Sequence, residues 1–231
     1  MRLLGALLGV LIALPAGAQT ISAARFSEPT DRYGHGILGD AIEWGALELD
    51  LAGAGTVTFR LPLDHVFEDV APRLLDVTGD GLPEVVVVET DVALGGALAI
   101  YGATGKIAQT PHIGRTNRWL APIGAHDLDG DGAIEVAYID RPHLAKVLRI
   151  WRFEDGGLTP LADLPGLTNH RIGETDIAGG IRLCRGLPEM IVATADWSRL
   201  MAVTFRPDGF ETSDLGPHLG RRSFARAMDC R

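Results

Sequence analysis

The chain has 231 residues, 46% of them hydrophobic, and a formal net charge of −9. An acidic balance of this size argues against nucleic acid or an anionic membrane as the partner. The length suits one sizeable domain with its own core.

In chain order, the first segment reads as a targeting signal rather than as structure. Arg2 gives a positive start, Leu3 to Leu14 is an apolar run, and Ala16-Gly17-Ala18 supplies a small-residue cleavage site before Gln19. The run is short for a transmembrane helix and no second one follows. Residues 1–18 are therefore expected to be a cleaved signal peptide, with 19–231 a single exported domain, periplasmic or secreted, and no membrane span. Tyr33 to Pro62 then holds material for three strands. Next comes Asp76-Val-Thr78-Gly-Asp80-Gly81-Leu82-Pro-Glu84, followed by four valines, and the pattern returns as Asp127-Leu-Asp129-Gly-Asp131-Gly132-Ala133-Ile-Glu135 before Val-Ala-Tyr-Ile.

Oxygen side chains at positions 1, 3, 5 and 9 of a tight loop can converge on one hard cation. Glycine at position 6 permits the turn, and the carbonyl at position 7 (Leu82, Ala133) can add an oxygen. Four carboxylates without a cation repel by about 1 kcal/mol per pair in water and about 4 near a protein surface at 4 Å. The spacing predicts Ca2+, at one or two sites, because calcium accepts many oxygens in flexible geometry. An EF-hand loop needs a carboxylate at position 12. Val87 and Tyr138 stand there, and each loop leads into an apolar, β-branched run that reads as a strand. The competing account is a metal-free Asp-Gly turn.

The motif repeats. Asp76, Asp127, Asp176 and Asp229 are spaced by 51, 49 and 53 residues, and Asp40, Asp91, Asp140 and Asp196 form a second series. A period near 50 with several short strands per unit predicts a small all-β propeller. In the best-defined unit the strands are expected at Trp119–His126, Glu135–Asp140, Val147–Glu154 and Leu158–Pro165. Arg222 to Asp229 reads as a leading strand that joins the N-terminal strands, giving four four-stranded blades with the closing one shared by both chain ends. Cys184 and Cys230, an even pair in an exported chain, are expected to form a disulfide across that seam.

The two acidic loops and the strands after them resemble the FG-GAP (VCBS-type) repeat of integrin α-subunit-like β-propellers. The resemblance implies calcium ligands at Asp127, Asp129, Asp131, the Ala133 carbonyl and Glu135. In the other copy it implies Asp76, Thr78, Asp80, the Leu82 carbonyl and Glu84. After Asp176 the acidic positions 3 and 5 are missing, so no calcium is expected there.

The ends of the strands opposite the acidic loops gather Asp40, Asp91, Asp140, Asp196, Trp197, Arg118, Arg171 and Arg222. Arginine forks and aromatic rings suit recognition of a protein or glycan ligand. In the plainer account the aspartates cap turns and the arginines pair with them. No Gly-x-Ser-x-Gly, His-Glu-x-x-His or phosphate loop is present. The main reading is a binding or scaffold module, and the alternative is a glycan-directed hydrolase using the second aspartate series.

Overall fold

A computed structural model describes residues 19–184, 186 and 188–230. The expected signal segment lies outside them. Strands β1 (Ile21–Thr30), β2 (Glu43–Leu51) and β3 (Gly55–Arg60) form an antiparallel first unit. Two short strands, β4 (His65–Phe67) and β5 (Arg73–Leu75), pair in turn with β6 (Glu84–Asp91), and β7 (Gly95–Gly102) and β8 (Gly105–Gln109) complete a second unit. A single pair, Trp44 with Phe67, joins the two units into one eight-stranded sheet. The third unit is a four-stranded sheet of β9 (Leu120–His126), β10 (Ile134–Asp140), β11 (Val147–Glu154) and β12 (Gly157–Pro165), each within one residue of its expected start and end. The fourth unit, a five-stranded sheet, has β13 (Leu167–Thr168) and β14 (Gly180–Leu183) on one side of β15 (Pro188–Thr194), then β16 (Arg199–Arg206) and β17 (Gly209–Pro217). Every pairing is antiparallel.

The period-two alternation of strand side chains explains how the units stack. Val85 and Val87 pack with Leu47 and Leu49 of the first unit and with Phe67 on β4. Their neighbours Val86 and Val88 turn to Trp119, Val136 and Tyr138 of the third. Ala137 and Ile139 point on to Met190 and Val192 of the fourth. The strands at the middle of the units are thus apolar on both faces, which is why they read as uninterrupted hydrophobic runs.

Two expectations fail at the chain ends. The expected leading strand at Arg222–Asp229 is a helix, α1 (Arg221–Met228), and it does not pair with the N-terminal strands. Phe224, Ala227 and Met228 recur at helical spacing, and they cover the outer face of the last sheet at Ile191, Ala193, Leu200 and Ala202. The closing blade shared by both termini is therefore overturned. The first unit takes its outer strand from β1, upstream of the Tyr33–Pro62 stretch, and that stretch supplies only β2 and β3. The disulfide does form, with Cα atoms 5.6 Å apart. It ties the end of α1 to the turn after β14 rather than bridging a seam between first and last sheets.

Residues 31–42, between β1 and β2, run as a strap over the entries of the later units. The Tyr33 hydroxyl accepts the Asn117 N–H at 2.7 Å, and the Gly173 N–H donates to the Ile37 carbonyl at 3.0 Å.

Candidate functional site

Both acidic loops are the turns that deliver the chain into the second strand of a unit, and each is built largely by its own carboxylates. In the second loop the Asp127 carboxylate accepts the Gly130 and Gly132 N–H groups at 2.7 and 3.0 Å. Asp131 accepts from Ala133 at 2.9 Å, and Glu135 accepts from Leu128 at 2.8 Å. Gly132, with φ of 92°, holds a left-handed conformation that a side chain would strain. In the first loop Asp76 accepts from Gly79 and Gly81 at 2.8 and 2.9 Å, and Asp80 accepts from Leu82 at 2.8 Å. Glu84 accepts from the Val77 and Thr78 N–H groups, and the Thr78 hydroxyl leans on the same carboxylate at 3.4 Å.

The loops differ in what lies across from position 9. Arg152 on β11 is the register partner of Glu135, and its guanidinium reaches Glu135 at 2.8 Å, Asp129 at 2.9 Å and Asp131 at 2.9 Å. The second loop thus contains a cation from its own chain. In the second unit, one step beyond the Val85–Tyr101 pair puts Gly102 across from Glu84, so the hairpin partner there has no side chain to reach in. Sequence reasoning missed Arg152. Its signal was its place in the hairpin, since β10 and β11 pair along their whole length. Burial pushes the Glu135 carboxyl above the usual range, against the Leu128 N–H and Arg152, which lower it. The bond to Glu135 holds the Arg152 guanidinium firmly protonated. Oxygens of Asp127, Asp129 and Glu135 lie within 4.8 Å of one another, and among the described residues this is the one such gathering of three. Asp131 stands outside it, as do the carboxylates of the first loop.

Three of the four aspartates at the opposite ends are bound into their own turns, and the fourth, Asp140, is held by arginines. Asp40 accepts the Ile42 N–H, and Asp91 accepts those of Ala93 and Leu94. Asp196 takes the Ser198 N–H and hydroxyl and the Thr194 hydroxyl, which pull its carboxyl down to about 2. Asp140 is buried between Arg141 and Arg149. Arg171 lies 4.2 Å over the half-buried Trp197 ring, a cation–π contact. Arg222 is exposed in the first turn of α1. Arg118 makes no ion pair among the described residues, and the one side-chain hydrogen bond it makes among them goes to the Asn117 carbonyl.

Beside Arg118, between the strap and the entries of the third and fourth units, is a cleft of about 270 Å³. Behind it, the Trp119 indole donates to the Glu68 carbonyl at 2.7 Å, and the Glu68 carboxylate is held by His35 and the Thr90 hydroxyl. His170 stands edge-on to Trp119 and bonds His143 at 3.1 Å. Burial lowers the His143 pKa to about 4, so the ring is neutral near pH 7.

Stacked antiparallel strand units with acidic hairpin turns define the class as an all-β repeat protein. Residues 76–138 match the FG-GAP-like repeat family, so the chain carries an FG-GAP-type repeat that spans both acidic loops. No curated protein matches the chain.

Proposed function

We propose that the protein is an exported, calcium-stabilised binding module of the β-propeller type. Two of the four strand units carry an acidic loop at one end, and the opposite ends offer a surface for a protein or glycan ligand. The observation that carries the metal reading is the convergence of Asp127, Asp129 and Glu135 oxygens within 4.8 Å. The donor set is all hard oxygen and fits calcium in kind. Asp127, Asp129, Asp131, Glu135 and the Ala133 carbonyl would hold one ion. Asp76, Asp80, Glu84, Thr78 and the Leu82 carbonyl would hold the other. When bound, calcium supplies the positive charge that offsets repulsion among the loop carboxylates. Arg152 supplies part of that charge already, so metal at the Asp127 loop acts against a resident competitor. The signal-like residues 1–18 and the disulfide support export, since disulfides persist in oxidising compartments. The aspartates of the hydrolytic alternative are engaged, Asp40, Asp91 and Asp196 as turn anchors and Asp140 in ion pairs, which supports binding over catalysis.

A calcium dissociation constant of about 0.1 to 1 mM is typical of extracellular modules. At millimolar calcium this adds about 1 kcal/mol of stability, or roughly 2–4 °C in Tm for a domain of this size. A chelator titration followed by thermal unfolding tests it. The expected result is a drop of that size, reversed by added calcium and largely absent in Asp129→Ala. A melting curve indifferent to chelator removes the metal.

A further inference from the structure

The cleft beside Arg118 lies about 20 Å from the acidic loops, the length of a seven-residue strand. It is unusual in its charge. The chain carries 30 acidic residues against 21 lysines and arginines, yet among the described residues no Asp or Glu lines the cleft. Its polar lining is His35, Asn117, Arg118, Arg141 and His143.

Several of these groups have donors to spare. Arg118 spends one nitrogen on the Asn117 carbonyl and meets no carboxylate among the described residues. Arg141 gives Nε and one terminal nitrogen to Asp140, each at 2.8 Å, which leaves its other terminal nitrogen. His35 is committed through Nδ1 to Glu68 and is not counted among them. An unneutralised guanidinium fork is a planar, two-pronged donor that matches a carboxylate or phosphate.

The remaining walls are apolar. Ile37 and Trp119 form the inner side. Leu144 and Ile172 stand at the rim with 63% and 69% of their surface exposed. Large side chains left this open beside a concavity are unfavourable in water unless something covers them. A volume of about 270 Å³ is just under the usual range for drug-sized ligand sites and suits a smaller molecule.

We infer that this cleft is a binding site for a small organic anion, with the anionic head on Arg118 and an apolar body against Trp119, Leu144 and Ile172. The inference rests on the ligand-binding reading above and names the chemistry of what is bound.

Phenylacetate, phenyl phosphate and the neutral isostere phenylacetamide are suitable probes, followed on the full chain by the Trp119 indole N–H resonance and by calorimetry. Both anions should give saturable shifts and bind at least tenfold more tightly than the amide. Arg118→Gln should erase that preference without changing Tm, and Leu144→Asp should weaken all three. Equal binding of acid and amide, or a preference that survives Arg118→Gln, overturns the anion site while leaving a ligand site in place. No saturable shift with any probe overturns the anion site and removes the cleft from the binding reading as well.

Discussion

Arg152 and Gly102 stand at matching places in consecutive hairpins, and that one difference separates the two acidic loops. With three carboxylates on one guanidinium, the Asp127 loop is partly neutralised before any ion arrives. Arg152→Gln is expected to tighten calcium binding at that loop by about tenfold or more, since a removed competing charge is worth about 1 to 4 kcal/mol at these distances. The same variant should melt lower than the parent in chelator. Calcium titration by calorimetry checks the first outcome, and an unchanged affinity contradicts it. Burial, with the neighbouring Glu68, Asp40 and Asp69, raises Glu43 to about 9. The folded state therefore holds a proton that the unfolded state releases above its ordinary carboxyl range. Stability from this group is present below about pH 4.5 and declines as pH rises toward 9. His143 acts at the other end: its pKa is lowered to about 4, so stability falls as pH drops from about 6.5 through 4. Glu43→Gln should raise Tm over the parent by an amount that grows between pH 5 and pH 9. A constant offset across that range would assign Glu43 another role.

The third unit was legible as an element because strand-length apolar runs alternate there with Gly, Asp and Pro turns, as in Asp155-Gly156 between β11 and β12. The acidic loops were legible because their donors lie within nine residues of one another. The C-terminal helix was not. Its eight residues follow an expectation of one more repeat, while the spacing of Phe224, Ala227 and Met228 gives the helical stripe. Arg152 and the cleft were hidden for a different reason, since each depends on residues brought together from separate units. α1 acts as a lid on the last sheet, and Phe224 is its main anchor at 5% exposure. Phe224→Ala should cost about 3–5 kcal/mol, read as a lower denaturation midpoint, and should increase dye binding at the uncovered Ile191–Ala193 face. Reducing the disulfide should cost up to about 4 kcal/mol in the chain-entropy treatment. A midpoint insensitive to both changes would mean that the helix is not needed to cover the sheet.

At the scale of the molecule, the stack of units ends differently at its two sides. The last sheet is covered by α1, whereas the first sheet's outer face carries the ion pairs of Arg25 with Glu48 and Asp50, at 2.6 and 2.8 Å. A charged face of this kind does not invite another sheet. The first and fourth units meet instead through the strap, where a Cβ on Gly39 would fall 3.0 Å from the Gly173 carbonyl and 3.2 Å from Thr175. Gly39 also has φ of 101°. Gly39→Ala should therefore destabilise by about 1–3 kcal/mol, measured by denaturant unfolding; a neutral effect would show that this contact is dispensable.

The strap imposes an order of events on a chain that emerges from its N-terminus. Tyr33 and Ile37 are made early, yet the groups they bond, Asn117 and Gly173, come from the third and fourth units. Until those units have formed, β1 and β2 can pair while the segment between them has nowhere to dock. Closing so long a loop is entropically slow, so the final locking of the oldest part of the chain belongs to the last moments of folding.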